Sequence, residues 1–191
     1  MVKPTREEMQ KIAQERLSEK RYNHCLRVAD LAVELAQFHN VPSKIAYEAA
    51  IWHDLARELP TEAQLSLAMK STVAMDEALE DNPLLYHGPA AQVLAHELGQ
   101  DNEAVLDAIA WHTLAKPAMS KLAQIIYLAD TLEPGRNWAD AAKIRELAKK
   151  NLGEAMVETI KHSIAWIEHN GRRVHPSAYA TLSYYENSLK K

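Results

Sequence analysis

The sequence predicts an all-α fold, a single helical bundle. Glycine occurs only five times in 191 residues, and Ala, Leu, Glu and Lys are frequent, a composition that favours helix. Apolar residues recur at three-and-four spacing, and no segment shows a convincing strand alternation. With 47% hydrophobic residues the chain can bury one sizeable core, so residues 1–191 are expected to form one domain.

The first helix is expected over 5–19, where Thr5 and Glu8 match a capping box that satisfies two orphaned backbone donors. The second, over 21–39, places His24, Val28, Leu31, Leu35 and Phe38 on one apolar stripe. A third, over 43–57, sets Ile45, Ala49, Trp52 and His53 on one face, with Asp54 following. Thr61 and Gln64 match a second capping box and open a helix over 61–70. His87 begins a His-Gly-Pro turn, and Pro89 suits the first turn of a helix over 89–98 that stops near Gly99. Over 102–112, Val105, Ile109 and His112 share a face, and beyond Pro117 a helix over 119–133 carries Asp130 one turn after Ile126. Gly135, Gly153 and Gly171 punctuate three further helices over 138–150, 154–169 and 177–189. These last form a C-terminal set beyond a core of about residues 20–136.

The net charge of −4 argues against a broad nucleic-acid footprint, so an anionic ligand must be met locally. The single cysteine, Cys25, can form no intramolecular disulfide and fits a reducing compartment. The N-terminal Met-Val-Lys-Pro-Thr-Arg-Glu-Glu lacks the apolar stretch of a signal peptide, and no apolar run approaches the ~20 residues of a membrane helix. The expected location is the cytoplasm.

Nine histidines are a rich supply for this length, and their placement is informative. His24 heads an apolar stripe, His53-Asp54 ends another, His112 lies on a third, and Asp130 follows Ile126. A lone histidine on an apolar face is ordinarily a hydrogen-bonded core residue. The ordered combination of His24, His53-Asp54, His87, His112 and Asp130 points instead to a metal, because imidazole and carboxylate suit divalent cations and inward-facing aspartates demand one. His39, His96, His162 and His169 read as surface or helix-end residues, and His175, before Pro176, stays open.

These residues resemble the HD superfamily of metal-dependent phosphohydrolases, and within it the bacterial symmetrical bis(5′-nucleosyl)-tetraphosphatases. The resemblance rests on Arg-Tyr-Asn-His at 21–24, Trp-His-Asp-Leu-Ala-Arg-Glu at 52–58, His-Gly-Pro at 87–89, His-Thr at 112–113 and Ile-Tyr-Leu-Ala-Asp-Thr-Leu-Glu-Pro-Gly-Arg at 126–136. It runs from about residue 20 to His175-Pro176. It implies an HD-type bundle with two metal ions, iron first and manganese, cobalt or zinc as alternatives. One ion would be held by His24, His53, Asp54 and Asp130, and the other by His87 and His112 with Asp54 bridging both. Leu114 and Ala115 stand where a second Thr and a Gly are expected, and Arg57 where Lys is usual.

The implied reaction is hydrolysis of diadenosine tetraphosphate into two ADP by a metal-activated hydroxide, with Asp54, Arg57 and Arg136 catalytic. Arg27, Arg57, Thr113 and Arg136 are the candidate substrate contacts, since a guanidinium binds phosphate in bidentate fashion. Thr113 suits either a phosphate or the cap of the next helix. Another HD-type nucleotide phosphohydrolase, a nucleotidase or an alarmone hydrolase, is the nearest alternative. A non-catalytic nucleotide sensor is disfavoured by the complete ligand set, and a Gly-Tyr-Pro signature of cyclic-dinucleotide cleavage is absent. The expected partner is a small nucleotide, with no nucleic acid and no membrane. Trp138, Trp166, Tyr179, Tyr184 and Tyr185 either bury the C-terminal helices or form a homodimer face.

Overall fold

The computed structural model describes residues 3–80 and 82–190, with the side chains of Glu77 and Glu80 left out, so residues 1, 2, 81 and 191 of the expected domain lie outside the described residues. Among the described residues there is no strand. The helices are α1 (Arg6–Arg16), α2 (Glu19–Phe38), α3 (Ser43–Trp52), α4 (Thr61–Ala68), α5 (Glu77–Glu80), α6 (His87–Glu97), α7 (Glu103–Trp111), α8 (Lys121–Leu132), α9 (Ala141–Lys150), α10 (Leu152–His169) and α11 (Pro176–Ser188). The all-α expectation holds, and no helix is long and apolar enough to cross a membrane.

The long helix α2 packs along α3 and α8, and α7 closes against both of those. This places the N-terminal end of α2, the end of α3 and the C-terminal half of α8 around one point. α6 lies against α4 and α7, while α9 and α10 cover α8 and α11 packs on α10. The core that results is built on Val28, Leu31 and Leu35 of α2, Ile51 and Trp52 of α3, Ile109 of α7, and Ile125, Ile126 and Leu128 of α8. Trp52 is fully buried, and its indole N–H donates to the Met9 carbonyl at 3.0 Å, which fastens α1 to α3.

The capping box at α1 is present: Glu8 N donates to Thr5 Oγ1 at 3.2 Å and Thr5 N to Glu8 Oε2 at 2.8 Å. The expected second box does not form. Pro60 takes the cap position of α4, and Gln64 turns back to donate its amide to the Leu59 carbonyl at 2.8 Å. That carbonyl closes a tight turn over 53–59, of which 53–57 were expected to continue the third helix. α3 stops at Trp52, and bonds such as Leu55 N to Trp52 O and Arg57 N to Asp54 O follow three-residue spacing. The cause is local. His53 Nδ1 donates to the Ala50 carbonyl at 2.6 Å, and so takes the acceptor that the next helical N–H would need.

Two other expectations are corrected. Phe38 does not continue the α2 stripe: it is 57% exposed, and His39 turns inward to the Ala148 carbonyl at 2.6 Å in its place. His87 is the first residue of α6 rather than part of a turn ahead of it. The segment between α4 and α6, for which no helix was expected, contains α5 and a 3-10 turn over Pro83–Leu85. Of the C-terminal aromatics, Tyr185 is buried and Trp138 is partly buried against the core. Trp166, Tyr179 and Tyr184 are exposed.

One glycine sets how closely α6 approaches α7. A Cβ on Gly88 would stand 2.9 Å from the Ala110 carbonyl and 2.9 Å from Thr113 Oγ1. Gly88→Ala is therefore expected to lower stability by about 1–3 kcal/mol, read as a fall in the urea midpoint at constant slope. An unshifted midpoint would show that the two helices can part at no cost.

Candidate metal centre

Four histidines reach the meeting point from four elements, and each has its Nδ1 tied down. His53, His87 and His112 use one device, donating Nδ1–H to the carbonyl three residues back: Ala50 at 2.6 Å, Leu84 at 2.8 Å and Ile109 at 2.7 Å. His24 Nδ1 instead faces the Glu133 carboxylate at 3.1 Å. A carbonyl or carboxylate only accepts, so Nδ1 carries a proton in every case, and in the neutral ring Nε2 presents a bare lone pair.

Those lone pairs converge on Asp54, which is 2% exposed. Its Oδ2 lies 3.4 Å from His53 Nε2 and 3.8 Å from His24 Nε2. Its Oδ1 lies 3.3 Å from His87 Nε2 and 3.8 Å from His112 Nε2. Asp130 Oδ1 completes the first side, 3.0 Å from His24 Nε2 and 3.9 Å from His53 Nε2. The structure thus brings together all six expected metal positions and sorts them into two groups, His24, His53 and Asp130 on one side and Asp54, His87 and His112 on the other.

The donor set fits metal ions on geometry alone. His24 Nε2 and His53 Nε2 are buried without a hydrogen-bond partner, a state that is rare and asks for a cation. His87 Nε2 and His112 Nε2 stand 3.1 Å apart with both Nδ1 protons committed, so two lone pairs oppose each other unless a positive charge lies between them. The carboxylates supply the matching negative charge. Burial would raise the Asp54 carboxyl, but the surrounding imidazoles, His53 first, outweigh it and hold it well below the usual range. Burial would likewise depress His53, yet Asp54 and Asp130 draw it up to about 8. Desolvation pushes His112 down, toward the neutral form a metal needs.

Around this cluster stand residues that sequence reasoning missed. Arg21 Nη1 donates to Asp54 Oδ2 at 2.9 Å. Glu133 is 2% exposed and joins His24 to Arg27, whose Nε and Nη2 reach its two oxygens at 2.6 and 3.1 Å. Burial would raise the Glu133 carboxyl, but Arg27, the Gly135 N–H and His24 bring it down to about 2. A Cβ on Gly135 would sit 2.9 Å from both Glu133 oxygens, so the Glu-Pro-Gly-Arg turn needs its glycine to wrap around the carboxylate. Cys25 is buried with a ligand-capable sulfur within 4.8 Å of the groups on His53 and Asp54. The only available sequence signal was adjacency: Arg21 and Cys25 flank His24 in its motif, and Glu133 lies in the run from Asp130 to Arg136.

The expected substrate contacts divide. Arg136 is 43% exposed at its side chain and leans on Asp130, with Nη2 3.1 Å from Oδ1. Arg57 is half-buried in the turn after Asp54, and its side chain takes part in no ion pair among the described residues. Arg27 is bound in bidentate fashion to Glu133, and through it also supports His24. Thr113 Oγ1 points to the Leu85 carbonyl at 3.4 Å, a tie between the α7 end and the segment before His87. Ala115, where a glycine is expected, adopts a φ of +56°, a left-handed conformation that costs an L-residue about 1–2 kcal/mol.

A helical bundle that gathers histidines and aspartates in this order defines a class of hydrolase, and a model of the HD domain matches residues 21–135. The chain belongs to the HD-domain family and, within it, to the family of the symmetrical bis(5′-nucleosyl)-tetraphosphatases. A protein of that name from Bacillus subtilis is 34% identical over 184 residues, 94% of this chain and 96% of its own. Its namesake from Halalkalibacterium halodurans is 31% identical, with 87% and 89% covered. A Mycoplasma pneumoniae protein named a probable nicotinate-nucleotide adenylyltransferase/Ap4A hydrolase is 41% identical over 79% of this chain but only 45% of its own length. The crystal structure of a predicted HD superfamily hydrolase involved in NAD metabolism, from Clostridium acetobutylicum, superposes with a TM-score of 0.92 at 32% identity over 97% of this chain and 98% of that one.

Glu133→Gln is expected to weaken metal binding by about 10- to 100-fold, as loss of the partner that orients and charges a ligating histidine does. Metal titration of purified protein measures it, and an unchanged affinity would reduce Glu133 to a support for Arg27.

Proposed function

We propose that the chain hydrolyses diadenosine tetraphosphate symmetrically, releasing two ADP, with two divalent or mixed-valence metal ions, iron foremost, held by His24, His53, Asp54, His87, His112 and Asp130. The observation that carries this reading is the split of Asp54, one oxygen toward each pair of histidines, which suits a carboxylate bridging two ions. The names of the relatives supply the substrate. When bound, such a metal pair supplies Lewis acidity that lowers the pKa of water and neutralises phosphoryl charge.

The chain's own groups do the rest. Arg57, beside Asp54, Arg136, whose Nε and Nη2 lie on Asp130, and Arg27, whose Nε and Nη2 lie on Glu133, each keep further N–H groups for a polyphosphate. They bind the phosphates and stabilise charge that spreads over the equatorial oxygens as the phosphoryl group is transferred. Arg21 and Arg27 hold Asp54 and the Glu133-His24 pair in place. The fixed Nδ1–H bonds of the four histidines keep Nε2 aimed inward, so no reorganisation is needed when substrate arrives. A chain of this kind acts in the cytoplasm, where its nucleotide substrate is made.

Symmetric cleavage requires attack at one of the two inner phosphorus atoms with a nucleoside diphosphate as leaving group. ADP is then the only nucleotide product of an early time point, and heavy-oxygen water labels half of it. ATP with AMP would show asymmetric cleavage, and turnover confined to mononucleotides or to a dinucleotide pyrophosphate such as NAD would overturn the substrate assignment. Arg136→Ala is expected to cost about 2–4 kcal/mol in kcat/KM with metal content retained. Unchanged kinetics would make Arg136 a surface charge.

A further inference from the structure

The two histidines of the second group, His87 and His112, lie at helix ends, and a relay from the C-terminal helix reaches the loops beside both. Ser177, at the start of α11, donates its hydroxyl to the Leu114 carbonyl at 3.0 Å, across 63 residues of sequence. Leu114 opens the turn after His112 and precedes Ala115, whose φ is +56°. The Ser177 hydroxyl also lies 2.9 Å from His175 Nδ1, and His175 Nε2 lies 3.2 Å from Asp76 Oδ1, 99 residues away. Asp76 Oδ1 in turn accepts from the Leu79 N–H at 2.8 Å, at the head of α5.

The order Asp, His, Ser invites comparison with a nucleophilic triad, but the proton positions oppose it. His175 Nδ1 accepts from the Ser177 backbone N–H at 3.2 Å as the cap of α11, so Nε2 carries the ring proton and donates it to Asp76. The Ser177 hydroxyl proton is committed to a backbone carbonyl. An activated serine would need that proton on the imidazole and its oxygen open to a substrate.

We infer that Asp76, His175 and Ser177 are positioning residues for the His87 and His112 half of the metal centre, an inference that rests on the two-metal reading above. The relay holds a strained turn that an alanine adopts unwillingly, just after His112 and beside Thr113, whose hydroxyl ties the α7 end to the Leu85 carbonyl ahead of His87. It touches none of the supports of the other half, where His24, His53 and Asp130 are held by Glu133, the Ala50 carbonyl and Arg136. Loss of the relay therefore weakens one metal site and spares the other.

Manganese(II) titration of the full chain, followed by electron paramagnetic resonance, resolves the two classes of site, and His87→Ala identifies the class belonging to this half. His175→Ala is expected to weaken that class by about 10- to 100-fold and leave the other unchanged. Ser177→Ala, a milder change, moves it in the same direction. Adding Ala115→Gly to His175→Ala restores much of the affinity, because glycine holds the left-handed turn without support. A purely structural role would weaken both classes together and give no recovery with glycine, and either result overturns the inference, as does an unchanged titration in both variants. Wild-type protein that binds one ion or none overturns the two-metal reading itself, a separate failure.

Discussion

Everything in this bundle is arranged around a single constraint, the convergence of four imidazole Nε2 atoms on one buried carboxylate. Such a cluster needs positive charge among its lone pairs, and the fold holds it by having the far side of each ring donate its Nδ1 proton to a fixed acceptor. Helix ends serve that purpose. A histidine at the last turn can donate to the carbonyl three residues back, which ends the helix and aims the ring away from the axis. That is why α3 stops at Trp52 and α7 at Trp111, immediately before His53 and His112.

The two halves of the centre are built differently. The first stands on the N-terminal part of α2, the end of α3 and the C-terminal half of α8, and is backed by Glu133 on His24, the Ala50 carbonyl on His53 and Arg136 on Asp130. The second stands on the start of α6 and the end of α7, with backbone carbonyls as its backing and loops on both sides. Gly88 permits the approach of these two helices, and the C-terminal relay constrains the loops.

Much of this was legible in the sequence because it depends on local patterning. The helices followed from apolar spacing and sparse glycine, and the six candidate ligands from their order along the chain. What failed were features decided by partners far away or by competition for one acceptor. Phe38 fits the stripe of α2 by spacing alone, but the helix outruns the core there and His39 turns inward instead. Thr61 and Gln64 fit a capping box, yet Gln64 is claimed by the turn that His53 creates. Arg21 and Glu133 stood in plain sight within quoted motifs. Their roles come from contacts across 33 and 109 residues, which no spacing rule reveals. Arg27, expected as a substrate contact, also backs His24 through Glu133, a second role that only the fold shows.

The claim on which the rest depends is that Asp54 bridges two ions. Anomalous diffraction from crystals grown with manganese(II) tests it directly. Two peaks are expected about 3.5–4 Å apart, one beside each oxygen of Asp54, the first contacted by His24, His53 and Asp130 and the second by His87 and His112. A single peak shared by all four histidines, or a peak that leaves Asp54 uncoordinated, would contradict the account.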